Sequence, residues 1–373
     1  MNLPRHLYVH VPFCARRCAY CDFSIAVRAN VPVDEYLRGV RAELAMRFAS
    51  GDWELSTLYF GGGTPSRLGA DGVARLMQLL RERVRLEPGA EVTLEANPED
   101  VSVDAVRAWR EAGITRVSLG VQSFDDAVLR WMHRVHDADA AFRAVDAVRA
   151  AGIDDLSLDL IFALPEALRR RWPHDLERAL SLAPTHVSLY GLTVEPHTPL
   201  ARWRERGEAE EPPEERYEAE YLLAHRLLTA AGFDHYEVSN FGRPGRHARH
   251  NSAYWTGAAY AGVGPSAHEF DGLARRRWNV APYAEWVRRL DQGRDPEAGH
   301  EELSEESRIA EQVYLGLRTS RGLQLAPGEA DRVRPWVESG WGIVDANGRL
   351  ELSARGWLRL DSLAQHLTIL RSH

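Results

Sequence analysis

The sequence predicts an α/β fold: an incomplete (β/α)6-type barrel followed by a smaller, winged-helix-like α+β domain. Three observations lead to this prediction. Short β-rich runs alternate with longer amphipathic runs over the first two-thirds of the 373 residues. Residues with unusual chemistry follow the ends of the β-rich runs, and a hairpin signal lies between helical patterns near the C-terminus. We expect the barrel at residues 1–240, a connecting segment at 241–300 and the C-terminal domain at 301–373.

The strand candidates are short runs rich in β-branched, aliphatic and aromatic residues. In order, they are Leu7–Val11, Thr57–Phe60, Glu91–Glu95, Arg116–Val121, Leu156–Phe162, His186–Leu192 and Tyr236–Ser239. Between them, apolar residues recur three or four positions apart, which predicts helices. These are a first helix with Leu37, Val40, Leu44 and Phe48 on one face, then Asp71–Val84, Val103–Ala112, Ala138–Ala151, Ala167–Leu180 and Glu214–Ala231. Such alternation is typical of βαβ units around a parallel sheet.

Ligand sites in barrels of this kind lie at the carboxyl ends of the strands, and the sequence concentrates its unusual residues there. A cysteine-rich loop follows the first strand candidate. The other such residues are Gly61–Pro65 after the second strand, Asn97 after the third, Gln122 after the fourth, Asp159 within the fifth, and Tyr190 and Thr193 towards the end of the sixth. We therefore expect one face of the barrel to carry the chemistry.

The C-terminal pattern begins at Leu303 and consists of two helices, a hairpin and a last helix at Arg355–Leu367. Asn347-Gly348 between two β-like runs is the hairpin signal. The net charge of -8 argues against a broad basic face for nucleic acid, so we interpret this domain as a packing module. The sequence contains no lysine, which excludes a Schiff-base lysine and a Walker lysine.

All three cysteines of the chain, Cys14, Cys18 and Cys21, fall within eight positions with the spacing C-x3-C-x2-C. Three thiolates from one loop can hold three irons of a [4Fe–4S] cluster and leave the fourth iron open for another ligand. Zinc is an alternative, with His10 or Asp22 as the nearest fourth ligand, but a second ligand pair typical of zinc modules is missing. A fortuitous group of thiols is the remaining alternative.

The N-terminal residues contain no signal-peptide core, and no run approaches ~18 apolar residues. Together with the clustered free thiols, this predicts a cytoplasmic protein. Any membrane contact would then be peripheral, at the inner membrane, through partner proteins.

With the cysteines on the first strand-to-helix loop, the chain resembles the radical S-adenosylmethionine (SAM) family. The segments Tyr8–Cys14 and Cys21–Phe23 resemble the branch that contains oxygen-independent coproporphyrinogen III dehydrogenase (HemN) and the haem chaperones called HemW. The resemblance extends over nearly the whole chain. It implies a [4Fe–4S] cluster on the three cysteines, with SAM chelating the open iron and an electron from the cluster cleaving a SAM C–S bond.

The resemblance also implies a set of SAM contacts, each transferred to the matching position of this chain. They are Tyr8, Tyr20, Gly62, Gly63, Thr64, Glu95, Gln122, Arg134 and Asp159. Two motifs depart from the family pattern, at three positions. His133 replaces the glycine of Leu-Gly-Arg-x-His, and Ala163 replaces a common glycine, with Glu166 in place of the glycine of Leu-Pro-Gly. Bulk at these positions would weaken SAM binding.

Three features favour the haem chaperones over the dehydrogenase. Phe23 stands where the dehydrogenase has a fourth cysteine, and only 13 residues precede Cys14, so the dehydrogenase's longer N-terminal extension is missing. Residues 250–255 match the H-N-x-x-Y-W signature of the chaperones. The resemblance implies that His250 ligates haem iron while Tyr254 and Trp255 pack on the porphyrin. His247 or His268 could serve as the ligand instead.

The function predicted from these features is a haem chaperone that binds a [4Fe–4S] cluster, SAM and haem as cargo. It would deliver haem to haem-accepting proteins such as membrane components of the respiratory chain. The alternatives are the coproporphyrinogen III dehydrogenase and a redox sensor whose cluster does no radical chemistry. An electron donor is implied but not identified. A homodimer fits the branch, although nothing in the chain itself requires one.

Overall fold

The computed structural model describes residues 4–48 and 53–371. Its strands, numbered in chain order, are β1 His6–Val11, β2 Phe13–Cys14, β3 Ala26–Val27, β4 Trp53–Gly62, β5 Val84–Ala96, β6 Arg116–Gln122, β7 Asp155–Phe162, β8 His186–Gly191, β9 Asp234–Glu237, β10 Asn240–Gly242, β11 Ala261–Val263, β12 His268–Phe270, β13 Arg275–Asn279, β14 Glu297–Glu302, β15 Leu323–Gln324, β16 Gly342–Val344 and β17 Arg349–Leu352.

The helices are numbered in the same way. They are α1 Val33–Arg47, α2 Gly69–Arg81, α3 Val103–Ala112, α4 Asp126–Trp131, α5 Ala138–Ala150, α6 Trp172–Ser181, α7 Pro199–Glu205, α8 Glu214–Ala230, α9 Arg249–Trp255, α10 Tyr283–Asp291, α11 Glu305–Arg318, α12 Glu329–Glu338, α13 Ala354–Trp357 and α14 Leu360–Arg371. Short 3-10 turns lie at Pro65–Leu68, Pro98–Asp100 and Glu166–Leu168.

The main sheet has nine strands in the order β11-β1-β4-β5-β6-β7-β8-β10-β9. The six strands from β1 to β8 in this order are parallel, and β11 adds a parallel strand beside β1. At the other edge, β10 pairs antiparallel with β8, and β9 pairs antiparallel with β10. No pairing joins β11 to β9 among the described residues, so the barrel is incomplete, which confirms the predicted fold class.

Local sequence signals explain why several helices begin and end where predicted. α3 begins after Ser102, whose hydroxyl accepts a hydrogen bond from the Ala105 N–H, and it ends at Gly113 with φ 109°. α5 begins after Asp137, whose carboxylate accepts from Ala140 in the same way. These caps satisfy backbone groups that a helix end leaves unpaired. The helices pack an almost continuous buried core against the parallel strands.

Three predicted elements differ from the structure. The run Tyr236–Ser239 was predicted as one strand, but its residues lie in β9 and in the turn that leads to β10. The helix predicted at Ala167–Leu180 begins only at Trp172, because Glu166–Leu168 forms a 3-10 turn that ends at Arg169 with φ 48°. The helix predicted at Arg355–Leu367 is divided into α13 and α14.

Two smaller sheets follow the main one. β12, β13 and β14 form an antiparallel sheet that begins in the predicted connecting segment and extends two residues beyond it, and β15, β17 and β16 form another near the C-terminus. In the latter, β16 and β17 form the hairpin predicted around Asn347-Gly348, with Gly348 at φ 74°. α11 to α14 and this sheet share a separate core. The domain boundaries at residues 240 and 300 stay a prediction.

None of the helices in the described part of the chain has the length and apolar character needed to cross a membrane.

Candidate functional site

Most of the predicted site residues meet in one cavity of about 510 Å³ at the carboxyl ends of the parallel strands. We call it the cysteine cavity. The predicted residues that line it are Cys14, Cys18, Cys21, Tyr20, Gly62, Gly63, Thr64, Glu95, Gln122, Arg134 and Asp159. Residues separated by more than a hundred positions are thus brought together because parallel strands present the same end to one face.

The cysteine loop is held by backbone contacts on both sides. Cys14 lies in β2, which pairs with β3, and the Cys21 N–H donates to the Cys18 carbonyl at 3.3 Å. The Cys14 sulfur lies 3.4 Å from the Thr64 hydroxyl. Burial raises the pKa of the Cys14 thiol and raises that of Cys21 to about 12. Among the described residues, no three His, Cys, Asp or Glu side chains converge on a position for a single metal ion.

Arg134 connects the cysteine loop to two strand ends. Its guanidinium donates to the Cys18 sulfur at 3.5 Å, to Asn97 Oδ1 at 2.7 Å and to the Gly120 carbonyl at 2.6 Å. Burial alone would lower the pKa of Arg134, but the neighbouring Cys18 and other groups raise it overall. Its Nε is buried and has no hydrogen-bond partner among the described residues. The cavity wall therefore carries a fixed positive charge with one donor still available.

The glycines after β4 are required by packing within this protein. Gly62 has φ +112°, and a Cβ there would lie 2.5 Å from the His10 ring. A Cβ on Gly63 would lie 2.6 Å from the Pro12 backbone. Any larger residue would push this loop away from the first strand. The triple glycine thus has a structural cause in addition to the approach to SAM that the resemblance implies.

Two carboxyl groups face the cavity in different surroundings. Glu95 accepts hydrogen bonds from the Tyr59 hydroxyl at 2.7 Å and the Gly62 N–H at 3.2 Å, and burial raises its pKa to about 7. Asp159 accepts from the Ser118 hydroxyl at 3.1 Å, and burial raises its pKa to about 6. Both groups are therefore poised to change charge near neutral pH when a cation binds.

Left-handed backbone occurs at two of the three positions where the chain departs from the family's glycines. His133 has φ 61° and Ala163 has φ 56°, whereas Glu166 begins a 3-10 turn. An L-residue in the left-handed conformation costs roughly 1–2 kcal/mol relative to its relaxed state. At His133 and Ala163 the backbone thus has the shape that glycine favours.

A second cavity of about 660 Å³ adjoins the first, and Phe, Tyr and Trp side chains form a large part of its wall. We call it the aromatic cavity. Its aromatic residues are Tyr8, Phe23, Tyr254, Trp255, Tyr260 and Phe270. The structure places Tyr8 here and not in the cysteine cavity. The two cavities share four wall residues, which are Asp22, Phe23, Gly62 and Glu95.

His250 lies beside the aromatic cavity but does not line it. It is fully buried, with Nδ1 2.7 Å from the Thr57 hydroxyl and Nε2 2.9 Å from the Tyr254 hydroxyl. Its ring also stacks on Tyr59, with the centroids 5.1 Å apart. Burial and the nearby His6 lower the pKa of His250 to about 3, so it is neutral. Both nitrogens are occupied, and the ring holds Tyr254 in place at the cavity wall.

Several residues in and behind these walls were not predicted from the sequence. Tyr59 lines neither cavity but contacts Glu95 and His250, and in the sequence it looks like an ordinary strand residue. Tyr260, Phe270 and Arg276 lie in short segments around β12 and β13 that show no clear period. The aromatic density of that stretch was the signal that could have identified them.

Comparisons with known proteins agree with this geometry. Residues 8–179 match the model of the radical SAM superfamily. The protein "Heme chaperone HemW" of Mycobacterium tuberculosis (strain ATCC 25618 / H37Rv) is 40% identical over 370 residues, covering 98% of this chain and 95% of the relative. The Bacillus subtilis (strain 168) protein with the same name is 35% identical over 320 residues, covering 85% and 84%.

Among solved structures, coproporphyrinogen III oxidase (HemN) from Escherichia coli, described as a radical SAM enzyme, superposes with a TM-score of 0.81 at 25% identity. The match covers 97% of this chain and 89% of that one. The full-length similarity and the arrangement of the strands lead to the same conclusion. The chain belongs to the radical SAM superfamily and, within it, to the HemW family.

Proposed function

We propose that this protein binds a [4Fe–4S] cluster through Cys14, Cys18 and Cys21, binds SAM beside it, and carries haem to haem-accepting proteins. The observation on which this rests is the pair of adjoining cavities: one contains three thiols and a fixed guanidinium, and the other is aromatic. Both lie at the strand ends, where ligands of this fold bind.

The cysteine donor set fits a cluster better than a single ion. Each cysteine of a [4Fe–4S] cluster ligates a different iron, so the three sulfurs need not converge on one point, whereas zinc ligands must. The lack of such a convergence among the described residues therefore supports the cluster. Three protein ligands leave one iron open.

The cavity also fits SAM, a ligand with a carboxylate and two positive groups. The unpartnered Nε of Arg134 supplies a cationic donor that suits a carboxylate. Glu95 and Asp159 supply the negative charge that suits the ammonium and sulfonium groups. The remaining predicted SAM contacts, Tyr20, Gly62, Gly63, Thr64 and Gln122, line the same cavity, and Tyr8 approaches from the neighbouring one. When bound, the cluster supplies an open iron and one electron for cleavage of SAM.

Haem as cargo is supported by the aromatic cavity and by the name of the two relatives, heme chaperone HemW. Its volume lies within the range of small-molecule sites, and Tyr254 and Trp255 offer ring faces to a porphyrin. Delivery would take place in the cytoplasm, to acceptors such as respiratory components at the inner membrane. An electron donor and a second copy of the chain are further proposed partners.

A second candidate function is the oxygen-independent dehydrogenation of coproporphyrinogen III. The observation that favours it is the superposition on HemN with a TM-score of 0.81. Phe23, which is 61% exposed at the wall shared by the two cavities, stands where the dehydrogenase is expected to have its fourth cysteine. That substitution favours the chaperone.

The experiment that separates the two functions begins with anaerobic reconstitution of the cluster in the full chain. One sample receives SAM, a reductant and coproporphyrinogen III, and the products are identified by mass spectrometry. A parallel sample is titrated with haem and then mixed with an apo-haemoprotein. The chaperone predicts saturable haem binding, transfer to the acceptor and no decarboxylation. Decarboxylation in proportion to SAM consumed would refute the chaperone and establish the dehydrogenase.

A further inference from the structure

We propose that His268, on β12, is the residue that ligates haem iron in the aromatic cavity, and that His250 of the H-N-x-x-Y-W motif positions Tyr254. This inference rests on the proposed binding of haem. It assigns the iron to the wall formed by the three-stranded sheet of β12, β13 and β14.

The histidines near the cavity differ in whether their ring nitrogens are available. An axial ligand must present a neutral imidazole nitrogen that has no other hydrogen-bond partner. Both nitrogens of His250 are occupied, as described above, and the ring lies behind the wall. His10 lines the cavity, but its Nδ1 lies 3.2 Å from the Tyr8 hydroxyl and its Nε2 lies 3.0 Å from the Ser24 carbonyl. Neither can bind iron without breaking these contacts.

His268 is in the opposite situation. It lines the cavity and is exposed, and no group among the described residues forms a hydrogen bond with its imidazole. The ring stacks on Trp278 of β13, with the centroids 5.9 Å apart and the planes inclined by 25°. Burial and the nearby Arg276 lower its pKa, which favours the neutral form. An oriented, neutral and unpartnered imidazole at the wall of an aromatic cavity has the chemistry of an iron ligand.

The backbone that carries His268 is held firmly. β12 pairs with β13 in a register that sets His268 opposite Trp278. Gly262 of β11 packs directly beneath, since a Cβ there would lie 2.1 Å from the His268 carbonyl oxygen. The backbone of His268 is thereby fixed relative to β11, which pairs with β1. A ligand on such a support is preorganised for a rigid planar partner.

The tyrosines of the cavity are weaker candidates for the iron. Tyrosine ligates as a phenolate, and burial raises the pKa of Tyr260 above its ordinary value. The hydroxyls of Tyr8 and Tyr254 lie against His10 and His250. Tyr254 instead offers its ring, which lies edge-on to Tyr260 with the centroids 4.6 Å apart. His250 therefore acts through Tyr254, as a positioning residue.

The test uses the full chain with its cluster reconstituted, titrated anaerobically with ferric haem and, separately, with iron-free protoporphyrin. The variants are His268→Ala, His250→Ala and, as a matched control from the same small sheet, the exposed His300→Ala on β14. Absorption and electron paramagnetic resonance spectra report the iron ligand. Circular dichroism and iron content confirm that each variant is folded and loaded.

We expect His268→Ala to lose the histidine-type haem spectrum, to weaken haem binding about tenfold or more, and to regain the spectrum when imidazole is added. Its affinity for protoporphyrin should change less than about twofold, because that ligand has no iron. His250→Ala should weaken both ligands and keep the wild-type spectrum, and His300→Ala should change neither. A wild-type spectrum in His268→Ala, or a spectrum lost in His250→Ala and restored by imidazole, would overturn the assignment. If the wild-type protein shows no saturable haem binding, the proposed function fails and the assignment fails with it.

Discussion

Replacing Glu95 with Gln should make the protein more stable while weakening its hold on SAM. Glu95 sits at the wall between the two cavities, and its carboxylate accepts hydrogen bonds from the Tyr59 hydroxyl and the Gly62 N–H. Two titratable neighbours affect its ionisation: the charge of Asp159 opposes it, and the hydrogen bond from Tyr59 favours it. The charge of Glu95 in turn raises the pKa of four neighbouring tyrosines. Glutamine preserves the shape, and its one carbonyl oxygen can still accept from the Tyr59 hydroxyl. Its NH2 group then faces the Gly62 N–H, so the change removes the charge together with one long hydrogen bond.

The magnitude follows from the pKa of Glu95, which burial raises from 4.5 to about 7. The folded protein therefore binds the proton more tightly than the unfolded chain, and its stability falls as the pH rises from about 4.5 to about 7. Above pH 7 the folded protein has lost the full amount of unfolding free energy that ionisation of Glu95 removes, about 3 kcal/mol. Glu95→Gln removes this cost but loses the hydrogen bond from the Gly62 N–H, worth about 1 kcal/mol. The variant should therefore be more stable than wild type by about 2 kcal/mol at pH 8 and slightly less stable than wild type at pH 4.

SAM binding should have the opposite dependence on pH. If the ionised carboxylate is what binds the cation, a pKa of about 7 makes wild-type affinity about tenfold weaker at pH 6 than at pH 8. Glu95→Gln should bind SAM weakly and with little dependence on pH. Urea unfolding at pH 4 and pH 8, and calorimetric titration of cluster-loaded protein with SAM at pH 6 and pH 8, measure the two effects. A variant that is less stable than wild type at pH 8, or an unchanged pH dependence of SAM affinity, would refute this reasoning.

Three further predictions concern the supports of the site. Gly62→Ala should lower the free energy of unfolding by about 1 kcal/mol or more compared with the control variant Gly89→Ala. Both glycines have positive φ, but only Gly62 has neighbouring atoms where the Cβ would lie. Urea titration of the two variants measures the difference. Arg134→Met should cost about 2 kcal/mol by leaving two oxygens without their donor, and should weaken retention of iron, measured after desalting of reconstituted protein. Arg318→Met should lower the free energy of unfolding by about 3 kcal/mol, because the fully buried Glu237 loses the guanidinium that lies 3.0 Å away. The double variant Arg318→Met/Glu237→Gln should regain most of this stability, as measured by thermal unfolding. The first prediction is wrong if the two glycine variants lose the same stability. The second is wrong if Arg134→Met retains all of its iron, and the third is wrong if the double variant is no more stable than Arg318→Met.

The sequence allowed the cysteine loop and the strand-end residues to be placed together because both depend on local patterns. Strand and helix periodicity gives the order of the parallel units, and parallel strands bring their ends to one face. The C-terminal hairpin was likewise predictable, since Asn347-Gly348 is a strong local turn signal.

Features that depend on distant contacts were not predictable. β11 has only three residues, and its place beside β1 is fixed by pairing across more than 250 positions. Ser239 lies in a turn because the chain reverses there, so that β10 can pair antiparallel with both β8 and β9. Whether His250 faces a cavity or the core is decided by Thr57, 193 positions away. A motif of six residues cannot encode that contact, so the pattern alone could not distinguish a ligand from a support.

The shared wall between the cavities has a thermodynamic consequence. Gly62 and Glu95 border both spaces, so a ligand that shifts or charges this wall on one side changes the free energy of binding on the other. Such an effect is necessarily reciprocal: whatever factor SAM imposes on the affinity for haem, haem imposes on the affinity for SAM. Binding of haem and binding of SAM would then be linked in one equilibrium. A carrier needs such a link if a change in one bound ligand is to trigger release of the other.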